Sequence, residues 1–136
     1  MNVEKLDMIE NLIKNYSGPI LISEDTLNRH PNSVVIDANC EDDIIMCHYS
    51  KENGEKILPE WFQKLKELST NRYCLLLVAN INEVSPLKQL RFKELLKYGS
   101  INGEKLPDNC IMIITHSDLK EKPVIETILS LLAVVD

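Results

Sequence analysis

An α/β fold, a parallel sheet of about five strands flanked by helices in three layers, is predicted by three features of the chain. Short apolar runs alternate with stretches of helical periodicity. Two of those runs, Cys74–Val78 and Cys110–Thr115, are apolar almost throughout, as strands covered on both faces must be. Proline, glycine and asparagine punctuate the boundaries between segments.

The elements follow in order. Val3, Leu6, Ile9, Leu12, Ile13 and Tyr16 recur mostly at spacings of three and four, the mark of a helix with one buried stripe, which Gly18-Pro19 stops. Ile20–Ile22 reads as a short buried strand, the polar stretch Ser23–Ser33 as a connection, and Val34–Ile36, ending in Asp37, as a second strand. Glu41–Glu55 mixes Ile44, Ile45 and Met46 with charges and fits no single template. Pro59 opens a helix carrying Phe62, Leu65 and Leu68, closed by Asn71-Arg72 before the strand Cys74–Val78. A helix is then predicted from Pro86 to about Gly99, with Leu87, Leu90, Leu95 and Leu96 inward. The turn residues Asn102-Gly103 and Pro107-Asp108-Asn109 lead to the strand Cys110–Thr115. Pro123 opens a short helix through Ile125, Ile128 and Leu129, and Leu132–Val135 reads as the last strand. No internal repeat, linker or low-complexity tract interrupts the sequence, so residues 1–136 are read as a single domain.

Composition narrows the function. Hydrophobic residues are 44% and charged residues 26%, which excludes disorder and dense disulfide scaffolds. A net charge of −6 argues against sequence-independent nucleic-acid binding and against an anionic membrane surface, because both depend on Lys and Arg. No basic start followed by an apolar run opens the chain, and no uninterrupted apolar stretch is long enough to span a bilayer, so a cytoplasmic location is expected. The four cysteines are expected as reduced thiols, with Cys74 and Cys110 acting as small hydrophobes. Cys40, Cys47 and His48 lack the ligand spacing of a zinc site, and no metal or other cofactor is expected.

From Ile57 to Asp136, the order and wording of the segments resemble the core of the AAA+ ATPases, especially the MoxR-like and related branches. Leu58-Pro59-Glu60-Trp61 is similar to the start of their second helix. Leu75–Pro86 (LLLVANINEVSP) resembles the Walker B strand and its turn, and Asn102–Thr115 (NGEKLPDNCIMIIT) the loop and strand leading to sensor 1. Each motif is moderately specific; the three in order carry the resemblance, which implies a P-loop NTPase-like fold.

The chemistry that the resemblance implies is missing. Where the family ends its Walker B strand in Asp-Glu, this chain has Ala79-Asn80. Alanine cannot order a cation and a neutral amide is a poor general base. Asn82 and Pro86 match the residues that often follow, and Glu83 is the nearest carboxylate, three residues past the aligned position. A glycine-rich phosphate loop would have to follow Ile20–Ile22, yet Ser23–Arg29 contains neither glycine nor lysine, and Glu24 and Asp25 put negative charge there. The same residues also suit an ordinary helix N-terminus capped by Ser23. The short Ile22–Val34 interval leaves two alternatives, a first helix reduced to a turn or two, or a strand order unlike the family's. Thr115 and Ser117 are the candidate sensor 1 positions. No arginine follows Arg91 to serve as the finger expected near Leu129–Leu132, and the chain ends where the lid would begin.

Other constellations have plainer readings. His30, His48 and His116 have no nucleophile fixed beside them by a motif; Cys47 and His48 are adjacent, and adjacent residues point apart. Glu41-Asp42-Asp43 could coordinate a cation or meet a basic partner, but a solvated loop or helix start explains it without function. Of Trp61 and Phe62, one is expected in the core and the other exposed on a contact surface. The expectation is therefore a truncated, non-hydrolysing AAA+-like domain with no catalytic residue. It would be retained for protein contacts, with an active AAA+ ATPase or further copies of itself as partners. The alternative is a small-ligand or nucleotide-sensing module without turnover, binding at the carboxyl ends of the strands. A third reading, thiol chemistry at Cys47, requires a reactive cysteine.

Overall fold

Five parallel strands form the central sheet of the computed structural model, which describes residues 18–23, 32–117 and 119–134. They are β1 (Ile20–Ser23), β2 (Ser33–Asp37), β5 (Cys74–Ala79), β8 (Cys110–His116) and β9 (Ala133–Val134). Their order across the sheet is β2-β5-β8-β1-β9, with every pairing parallel. β1 and β2 are thus not neighbours: β8 and β5 stand between them. The predicted helix Val3–Tyr16 and the connection 24–31 lie outside the described residues.

Two of the three inner strands, β5 and β8, follow from their composition. Cys74 to Val78 are all buried, and β8 beside them buries Ile113, Ile114 and Thr115. Alternation divides these side chains between the faces. On one face, Leu21, Val34, Ile36, Leu76, Val78 and Ile114 join the main core with the helical residues Trp61, Phe62, Leu65, Phe92, Leu95 and Ile128. On the other, Ile22, Leu75, Leu77 and Ile113 form a smaller cluster.

The segment that fits no sequence template, Glu41–Glu55, begins with a single helical turn, α1 (Asp42–Ile45), then enters a hairpin of β3 (His48–Tyr49) and β4 (Lys56–Ile57). Helix α2 (Glu60–Leu68) starts at Pro59 and turns Trp61, Phe62 and Leu65 into the core. Both rings are buried, 7% and 2% exposed, which corrects the expectation that one of them marks an exposed contact surface. Trp61 is drawn inward by its Nε1–H, which donates to the Ile45 carbonyl at 3.1 Å.

The single helix expected from Pro86 to Gly99 is broken into α3 (Pro86–Gln89), a tight 3₁₀ turn (Leu90–Phe92) and α4 (Lys93–Tyr98). The tighter winding shifts the buried stripe. Phe92 is buried, while Leu87, expected inside, is 77% exposed. Arg91 holds the turn in place, its guanidinium donating to the carbonyls of Ala38 and Cys40 at 2.7 Å each and pairing with Asp42 at 2.7 Å. A second hairpin, β6 (Ser100–Ile101) and β7 (Glu104–Lys105), turns at Asn102 and Gly103, both at positive φ as a two-residue hairpin turn requires. The short helix α5 (Glu126–Leu129) precedes β9. Among the described residues, no helix is long and apolar enough to cross a membrane.

Candidate functional site

The sheet's register lines up four residues near the carboxyl ends of its strands. Asp37 of β2 pairs with Ala79 of β5, and Thr115 of β8 pairs with Ile22 of β1. Ala79 and Thr115 lie one step beyond the Val78–Ile114 pair, so the row reads Asp37, Ala79, Thr115, Ile22. These side chains share the face of the smaller cluster. At the centre of the row, where a catalytic carboxylate would be aimed, stands a methyl group.

Past Ala79 the chain turns sharply. Asn80 adopts a left-handed conformation (φ 57°), which asparagine tolerates better than most residues, and its N–H donates to the Thr115 Oγ1 at 3.0 Å. Thr115 is fully buried, so its hydroxyl serves to hold the end of β5 against β8. Two polar atoms at these strand ends, the Asn80 Oδ1 and the His116 Nδ1, are buried without a hydrogen-bond partner. Burial pushes the His116 imidazole below its ordinary pKa and favours its neutral form.

Asn82 fastens the loop that leaves β8. Its Oδ1 accepts from the Ser117 N–H at 3.0 Å, while its Nδ2 donates to the carbonyls of Ser117 and, at 2.8 Å, Lys122. Gln89 does the same one turn further on, accepting from the Ile125 N–H at 2.9 Å and donating to the Val84 carbonyl at 3.1 Å. Both amides are buried. The Ser117 hydroxyl donates to Glu83 Oε1 at 2.7 Å. Ala79, Asn80, Thr115 and Ser117 therefore converge, with Asn82 and Glu83 beside them, while Trp61 and Phe62 belong to the core under β2. The clamping role of Asn82 and Gln89 escapes the sequence, where each amide stands among other polar residues.

What this cluster can do chemically is limited by how it is used. Glu83 is exposed and engaged by Ser117. Asp37, the other nearby carboxylate, accepts from the Asn39 N–H at 2.9 Å in a local turn. Among the described residues, no three His, Cys, Asp or Glu side chains are grouped as metal ligands would be.

The thiols do not supply a nucleophile either. Burial raises the pKa of all four, and that of Cys110, further raised by neighbouring Cys74, reaches about 12. Cys47 lies with its Sγ 3.9 Å from the Ile101 carbonyl, whereas His48 turns its Nε2 to the Asp43 carbonyl at 2.7 Å, so the adjacent thiol and imidazole serve different contacts.

A comparison with protein-family models and one with curated proteins find no match to this chain.

Proposed function

We propose that this chain is a non-hydrolysing relative of the AAA+ ATPase core that works through protein contacts, as an adaptor or as an inactive subunit beside an active ATPase. One observation carries the reading: the end of the Walker B-like strand, Ala79-Asn80, abuts the end of the sensor 1-like strand at Thr115 and is hydrogen-bonded to it. A hydrolase needs those two strand ends side by side, since one activates the attacking water and the other orients it. The neighbourhood therefore agrees with the resemblance. Yet the position between Asp37 and Thr115 carries a methyl group, and the hydroxyl and carboxylate around it are committed to holding loops.

Steady-state ATP hydrolysis by the purified chain is the direct test. No turnover above buffer is expected with either magnesium or manganese. Turnover that an Asn80 or Glu83 substitution abolishes would overturn the reading.

A second reading, ligand sensing without turnover, rests on the unpartnered Asn80 Oδ1 and His116 Nδ1. They lie at the carboxyl ends of β5 and β8, and open α/β sheets place ligands outside the carboxyl ends of their strands. A bound nucleotide would raise the melting temperature in proportion to RT ln(1 + [L]/Kd). An unchanged midpoint with ATP, ADP, GTP and cyclic dinucleotides would remove this alternative.

A further inference from the structure

The two edges of the sheet are built differently. β9 has two described residues, whereas β2 runs for five and contains neither lysine nor proline, two of the residues that blunt an edge. On its inner side β2 is bonded to β5 through alternate residues: the Asn32 carbonyl accepts from the Leu75 N–H at 3.0 Å, and the Ala38 N–H donates to the Ala79 carbonyl at 3.1 Å. That alternation turns the N–H and C=O of Val35, in the middle of the strand, outward. Val35 is 40% exposed and Ile44, on α1 nearby, 55%.

A groove of about 620 Å³ lies along this edge, between β2, α1, β3 and the start of α2. That volume is within the range of sites that hold a small ligand or a few residues of peptide. The groove is lined by the apolar Ile44, Leu58 and Trp61, by the carboxylates Asp43 and Glu60, and by Lys64 and His48, with Val35 at the strand edge. Asp37 adds a further carboxylate at the end of the strand, and the chain as a whole carries −6.

We propose that the outer edge of β2 and this groove dock an extended segment of a partner protein, apolar at alternate positions and flanked by Lys or Arg, which adds to the sheet as a further strand. Strand addition supplies main-chain hydrogen bonds through Val35, and the groove receives alternate side chains. The carboxylates Asp37, Asp43 and Glu60, which outnumber Lys64 here, select a basic flank and speed its approach. A second copy of this chain fits less well, because each copy carries a net charge of −6 and the like charges repel. The proposal rests on the reading that this domain acts through protein contacts, and it gives that reading a surface and a partner chemistry.

Trp61 is the only tryptophan of the chain and lines the groove, so its fluorescence reports occupancy. The probes are the acetylated, amidated peptides KVTVTVK and EVTVTVE, titrated against the whole chain, with the Val35 amide resonance followed in parallel. The lysine peptide is expected to give a saturable change and to bind about tenfold more tightly than the glutamate peptide. Val35→Pro removes the outward N–H at an edge position, where proline is tolerated, and should abolish that binding. The surface pair Asp43→Lys and Glu60→Lys should reverse the preference between the peptides, which keeps the test intact should the proline variant fold poorly. Absence of binding, equal affinity for both peptides, or binding indifferent to the variants would overturn the proposal. So would a dimer in the ultracentrifuge that Val35→Pro dissolves, since the occupant would then be a second copy. A partner that co-purifies equally with wild type and Val35→Pro refutes this surface and leaves the protein-contact reading standing. ATP turnover refutes that reading without touching the peptide result.

Discussion

The carboxyl ends of β5 and β8 and the outer edge of β2 are two polar regions of one sheet, and they spend their hydrogen-bonding capacity in opposite ways. At the strand ends, Asn82 alone engages one N–H and two carbonyls of the following loop, Thr115 receives the Asn80 N–H, and Ser117 is bound to Glu83. At the β2 edge, Val35 turns its backbone outward and leaves its side chain exposed. The first region commits its side chains to fastening one strand end to another and to the loop that follows. At the second, no described strand pairs with the outward side of β2.

The sharpest way to break this comparison is Asn82→Ala. If the strand ends are fasteners, removing three hydrogen bonds from a buried amide should cost about 2–4 kcal/mol in urea denaturation, because the loop's polar groups are left without partners. A loss within experimental error would mean that Asn82 is not structural and would reopen the site to ligand chemistry. Thr115→Val keeps the shape and removes the acceptor of the Asn80 N–H, for an expected loss of about 1–2 kcal/mol by the same measurement.

His116 gives a pH-dependent version of the test. Burial holds its folded pKa below the ordinary value of 6.5. Near that pH the unfolded chain therefore binds more protons than the folded one, so stability should fall as pH drops through 6.5 and level off once the folded imidazole also titrates. His116→Phe should flatten this part of the curve of urea midpoint against pH. A slope unchanged in the variant would assign it to other groups.

The smallest effect belongs to the edge. Val35→Lys should alter stability by less than about 0.5 kcal/mol, since the side chain is already 40% exposed and no described strand pairs on that side. A large loss would show that the edge is already structurally engaged, and the contrast between the two regions would disappear.

Much of the fold was legible because burial on both faces leaves a local trace. Cys74–Val78 and Cys110–Thr115 read as central strands from their uninterrupted apolar character, and they are inner strands that pair with each other. Asn102-Gly103 read as a turn and forms the tip of a hairpin. Other features left no such trace. The β3–β4 hairpin has two-residue strands with exposed side chains, too short to show alternation. The helix after Pro86 looked continuous because leucines kept its periodicity, whereas its break depends on Arg91 reaching carbonyls some fifty residues earlier in the chain. Trp61 and Phe62 announced an aromatic helix start, but which side each ring faces was set by the Ile45 carbonyl, brought there by α1.

At the candidate site, the chain by itself determined which chemistry is missing. Ala79 and Asn80 can neither hold a cation nor act as a strong base in any fold, because that is a property of the side chains. Only the tertiary structure decided that Ala79 sits between Asp37 and Thr115, that Asn82 is tied to a loop some 35 residues away, and that β2 rather than β5 forms an edge. Those facts concern which strands lie side by side, and parallel pairing is set by long crossover connections and by the packing of both faces, neither of which is written in the residues that end up adjacent.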